Sequence, residues 1–106
     1  MPKLESLFLI GHAHPALPGH FPGMPVVPGV VVLDQVLGVL ATLVEIDAQR
    51  VDLPQVKFVE PLLPGQVAHI KIEVETNRAW FRVERHATPG TSVAIASGSV
   101  QWRDVQ

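Results

Sequence analysis

The 106-residue sequence has no cysteine and no tyrosine. Without cysteine there is no disulfide, no thiolate nucleophile and no cysteine-based zinc site, a pattern that fits a reducing cytoplasm, the expected location. Without tyrosine there is no phenol acid or base. Charge is also scarce: 17% of residues are charged, the formal net charge is −2 and the isoelectric point lies near 6.2. No nucleic-acid partner is expected, because such a partner requires a basic face to neutralise phosphates. The apolar run near the N-terminus, Leu7 to Ile10, is shorter than a secretory signal needs. The longest apolar segment, Val26 to Val44, contains Pro28, Gly29, Asp34 and Gln35. An ionised aspartate near a bilayer centre costs roughly 2.5–3.5 kcal/mol, so the segment reads as a buried core helix and not as a membrane span.

What the chain does have is apolar bulk and proline. Apolar residues make up 47% of the sequence, and the mean hydropathy is +0.28. The length suits one domain, residues 1–106, and so apolar a small chain is expected to bury surface against another copy of itself. Five of the ten prolines fall between Pro15 and Pro28, and 12 of the 19 residues from Gly11 to Gly29 are Gly, Pro or His. Proline fixes φ while glycine permits positive φ, so this segment reads as a stiff, shaped loop. A strand, Leu4 to Ile10, is expected before it.

Pro28-Gly29 marks a helix start, and VVVLDQVLGVLATLVEI follows with apolar residues on every face. A helix apolar all round is one surrounded by protein. At ~18 residues it would be about 27 Å long. Beyond it the period changes to two. Val56 to Val59 is a short strand, and Ala68 to Glu75 alternates, with Ala68, Ile70, Ile72 and Val74 on one face. Ala79 to His86 alternates through Phe81 and Val83, and Val93 to Trp102 is the last strand. One apolar helix with about five antiparallel strands makes an α+β domain, in which the sheet is expected to curl around the helix.

Asp34 is the only formal charge between Glu5 and Glu45. A lone carboxylate in so apolar a helix is expensive, so the group is expected to be protonated or paired, and to be functional. Gln35 points about 100° away and reads as a packing or interface group. His12, His14 and His20 could supply three metal ligands, but with no fourth Cys, Asp or Glu nearby no metal is expected. His20 is held by glycine and proline on both sides; His69 and His86 fall on the polar phase of their strands and are expected to be exposed. A rigidly held histidine and a carboxylic acid across an apolar cavity suit paired proton transfers. The Gly29 N–H, at the start of a long helix, favours a developing oxyanion.

The stretch His14-Pro15, Gly19-His20-Phe21-Pro22-Gly23, Pro25-Val26, Pro28-Gly29-Val30 and Leu33-Asp34 resembles the active-site signature of the hot-dog-fold 3-hydroxyacyl-[acyl carrier protein] dehydratases. The match includes the fourteen-residue step from His20 to Asp34. Val56-Lys57-Phe58, followed by Pro61 and Pro64-Gly65, is similar to the family's segment after the central helix. The resemblance implies a hot-dog fold, a curled antiparallel sheet wrapped around one long central helix. It also implies dehydration of 3-hydroxyacyl thioesters to trans-2-enoyl thioesters in fatty acid or related acyl-chain biosynthesis. His20 would take the α-proton and Asp34 would protonate the departing β-hydroxyl. Gly29 N–H would bind the thioester carbonyl, with Phe21 and Val30 beside the substrate. No cofactor is implied; the substrate rides on an acyl carrier protein or coenzyme A. A homodimer or higher oligomer is implied, with His and acid contributed by opposite subunits.

Where the family commonly carries a glutamine one turn after the acid, this chain has Gly38. Two other readings stand beside the first. One is a hot-dog thioesterase in which Asp34 activates water, which leaves the histidine without an evident task. The other is an inactive acyl-thioester-binding subunit, suggested by Gly38. An acidic carrier would call for a basic patch, with Arg50, Lys57, Arg78, Arg82 and Arg85 as candidates, most of them on a solvated strand face by alternation.

Overall fold

The computed structural model describes residues 2–11, 26–46, 50–88 and 90–103. In chain order the elements are β1 (Lys3–Leu9), α1 (Gly29–Leu40), β2 (Val51–Phe58), β3 (Val67–Val74), β4 (Arg78–Thr88) and β5 (Thr91–Trp102). The five strands form one antiparallel sheet in the order β1-β3-β4-β5-β2. The chain therefore crosses from one edge of the sheet, β1, through α1 to the opposite edge, β2.

Alternation decides which face of each strand is covered. Ala68, Ile70, Ile72 and Val74 are buried, and the register sets them beside Val83, Phe81 and Ala79 of β4. Directly paired residues share a face, so these positions and their β5 partners, Ala96 and Val100, form one apolar inner face. Val31, Val32, Val36 and Leu40 of α1 complete the same core cluster. Gly98 allows the edge strand to close in. A Cβ there would run into the Gln55 carbonyl oxygen and the Phe81 ring.

The helix is shorter than the apolar pattern suggests: 12 residues, followed by a turn over residues 41–44. Thr42 explains the stop. Its hydroxyl donates to the Val39 carbonyl (2.7 Å) and its N–H to the same oxygen (3.1 Å), which tightens the last turn to a three-residue step. The helix is also not enclosed within the chain. Val30, Asp34, Gly38 and Ala41 form an exposed stripe along it, with Val30 65% exposed. One five-stranded sheet covers one side of a helix, so the expectation of complete enclosure fails for a single chain.

On the outer face His86 is exposed, but His69 is half-buried, 3.5 Å from the Glu5 carboxylate. Lys71 and Arg82 are directly paired, two cations side by side. Glu84 reconciles them: its carboxylate accepts from Lys71 Nζ (3.0 Å), Arg82 Nε (2.9 Å) and Ser92 Oγ (3.3 Å). It is itself buried. The Lys71 hydrogen bond, foremost, and Arg82 hold the Glu84 carboxyl below the usual carboxylate range, against the opposing effect of burial. A depressed folded-state value contributes stability above the unfolded value and loses it as pH falls through the folded one. Glu84→Gln is therefore expected to cost about 1–2 kcal/mol near neutral pH. It should also flatten the loss of stability on acidification. Urea unfolding at neutral and acid pH checks this, and an acid slope equal to wild type would refute it.

Candidate active site

The N-terminus of α1 is built by the residues just before it. Pro28 occupies the cap position with φ −60° and ψ 145°, extended geometry that its ring favours, and its carbonyl accepts from Val31 (3.0 Å) and Val32 (3.3 Å). No side chain caps the helix. The Gly29 N–H therefore has no acceptor among the described residues and remains a helix-terminal donor. Val27 N–H donates to the Leu62 carbonyl (2.8 Å), which ties this end of the helix to the loop after β2. That loop is held in turn by Val59 N–H donating to Ile95 (2.8 Å). This bond continues the β2–β5 register one step beyond the Phe58–Ala96 pair.

Between these elements lies a cavity of about 470 Å³. Pro28, Gly29, Val32, Phe58 and Ile95 line it, and Glu60 is the one carboxylate in its lining among the described residues. The Phe58 ring lies against Gly29 so closely that a Cβ would sit 2.7 Å from its Cζ. Glycine at the helix start thus lets the Phe58 ring pack against it and form an aromatic wall of the cavity. An apolar cavity with one helix-terminal donor suits an acyl group whose carbonyl oxygen gains negative charge.

The structure separates the residues that the sequence singles out. Gly29 lines the cavity. Val30 and Asp34 lie on the exposed stripe, and Asp34 is solvent-exposed within the single chain instead of enclosed by apolar groups. The reason is angular: five residues along a helix is about 140° of rotation, so Gly29 and Asp34 face different ways. Gln35 is half-buried beside the stripe. His12, His14, His20 and Phe21 lie outside the described residues. Among the described residues no cluster of three His, Asp or Glu could hold a metal, and no helix is long and apolar enough to cross a membrane.

Of the basic candidates, Lys57, Arg78 and Arg82 are exposed on the outer phase. Arg85 is different: its pairing with Ala68 and Val93 puts it on the inner face. The signal was present in the sequence, since Arg85 continues the phase of Phe81 and Val83.

The order and pairing of these elements are those of hot-dog proteins. The dehydratase heterocomplex ApeI:P from Xenorhabdus doucetiae superposes with a TM-score of 0.79 at 24% identity, over 95% of this chain and 88% of the other. The fluoroacetyl-CoA thioesterase FlK superposes with a TM-score of 0.61 at 16% identity, over 93% of this chain and 82% of that one. The fold alone thus embraces more than one reaction. Sequence narrows the choice. The 3-hydroxyacyl-[acyl-carrier-protein] dehydratase FabZ of Haemophilus influenzae is 30% identical over 105 residues, 92% of this chain and 67% of that enzyme. Residues 3–99 match the ApeI-like dehydratases, and the chain belongs to that family, a group of hydro-lyases.

Proposed function

We propose that this protein dehydrates 3-hydroxyacyl thioesters to trans-2-enoyl thioesters, with the acyl group presented on an acyl carrier protein or coenzyme A. The observation that carries the reading is Gly29 at the start of α1, whose N–H has no acceptor among the described residues and which lines an apolar cavity. It binds the thioester carbonyl and stabilises the enolate oxygen as the α-proton leaves. His20, placed by the motif nine residues before Gly29, takes that proton. Asp34 gives its proton to the β-hydroxyl, the C–O bond breaks, and water departs as the Cα–Cβ double bond forms. The proton on His20 then returns to Asp34 through solvent, which resets the site. No cofactor takes part, and the whole chain acts as one domain, in the cytoplasm.

The working unit is a homodimer. The exposed stripe of α1 (Val30, Asp34, Gly38, Ala41) and the edge strand β2, six of whose eight residues are exposed, both ask for cover. A second copy laid against them would bring its own Asp34 toward the cavity of the first. A second reading is that the same stripe receives a related subunit, as the ApeI:P assembly is a heterocomplex, while this chain, with Gly38 one turn after Asp34, binds thioester without turning it over.

Mass spectrometry of the product separates the readings. Purified protein given 3-hydroxyacyl thioesters of graded chain length is expected to yield a product lighter by one water, with the thioester intact. Release of a free acid would make it a thioesterase. Tight binding without turnover at every length would make it the inactive subunit.

A further inference from the structure

We infer that Arg85 is a recognition residue for acyl thioesters whose chain carries a carboxylate, an inference that rests on the thioester-binding reading above. Arg85 is the one charged residue that the strand register puts on the inner face among the described residues. Its neighbours on either side, Ala68 and Val93, are apolar, and Ala68 is fully buried. Arg85 as a whole is half-buried, and its Nε is shielded from solvent with no hydrogen-bond partner among the described residues. No ion pair to Arg85 is found among the described residues. The contrast with the outer face is informative. There, Lys71 and Arg82 are close together and the chain supplies Glu84 to neutralise them. For Arg85 no such carboxylate is found among the described residues.

The position along the sheet says what could complete it. Arg85 and Val93 lie toward the end of the sheet where β2 finishes; neither lines the cavity itself, but Val93 is two residues from the cavity-lining Ile95. A guanidinium presents a planar fork of donors that matches a carboxylate, and a buried donor without a partner discriminates against ligands that bring no acceptor. The thioester carbonyl belongs to Gly29, and a carrier's phosphate stays outside with the carrier. The part of the ligand that reaches an inner face is the acyl chain. An acceptor on that chain, a carboxylate above all, satisfies Arg85. The structural alternative is a side chain whose stem covers the sheet while its head reaches solvent; it gives no preference among acyl chains.

The test compares 3-hydroxyacyl pantetheine thioesters of matched length, one ending in methyl and one in carboxylate. In Arg85→Met the ratio of kcat/KM for carboxylate over methyl is expected to fall at least about ten-fold, with the methyl-ended substrate little changed. Arg85→Lys, which keeps the charge and loses the fork, should fall part of the way, and it carries the test if the methionine variant does not fold. An unchanged ratio in the variants, or a wild-type preference for the methyl-ended chain, would overturn the assignment. If wild-type protein dehydrates neither substrate, calorimetry with the corresponding thioesters lacking the 3-hydroxyl reads the same ratio as a ratio of Kd. A carboxylate preference lost in Arg85→Met then upholds the recognition role although the dehydratase reading has failed; equal Kd values overturn it.

Discussion

His20→Ala and Asp34→Asn are each expected to lower the rate of enoyl thioester formation by about 10²–10⁴-fold, the usual contribution of a positioned acid or base. The two losses have different origins. Alanine at position 20 leaves no imidazole to take the α-proton, while the Gly29 donor and the cavity still bind the thioester. Asparagine at position 34 keeps the size of the side chain and a hydrogen-bonding group but has no proton to give. Because Asp34 stands on an exposed helix face in the single chain, its replacement leaves no core group unpaired, and Asp34→Asn should unfold at wild-type denaturant concentration. Absorbance of the conjugated product follows the reaction, and far-UV circular dichroism checks the fold. Near-wild-type turnover in either variant would remove that residue from the mechanism.

Mixing the two inactive variants is expected to restore activity. Gly29 lines the cavity whereas Asp34 does not, and about 140° of helix rotation separates them. In the proposed homodimer a complete site would combine the cavity of one copy with the Asp34 of the other. Random exchange of His20→Ala and Asp34→Asn subunits makes half of the dimers mixed, each with one intact site of two, so activity should return to about a quarter of wild type. Recovery should follow the rate of subunit exchange. If both groups act within one chain, no mixture recovers anything.

Some of this architecture was legible in the sequence because it is local. The period-two alternation of Ala68 to Val74 placed the inner face of β3 correctly, since a strand cannot bury one face without burying every second residue. The Pro28-Gly29 helix start was legible for a similar reason: proline tolerates the position before a first turn and glycine yields to Phe58. The helix end was not. Val44 and Ile46 continue the apolar pattern, but the Thr42 hydroxyl bonds back to Val39 and closes the helix early. Glu84 was equally hidden. Arg82 stands two residues before it, but the other cation that holds the carboxylate, Lys71, comes from another strand.

The sequence by itself determined the strand phases, the helix start and the His20-to-Asp34 spacing, all set by backbone periodicity and by the φ preferences of proline and glycine. Only the tertiary structure decided which face of α1 stays open and which charges find partners. Asp34 lies on an open stripe, Glu84 is held by two cations, and Arg85 has no ion-pair partner among the described residues. These outcomes depend on contacts between residues far apart in the chain, which the local pattern does not contain.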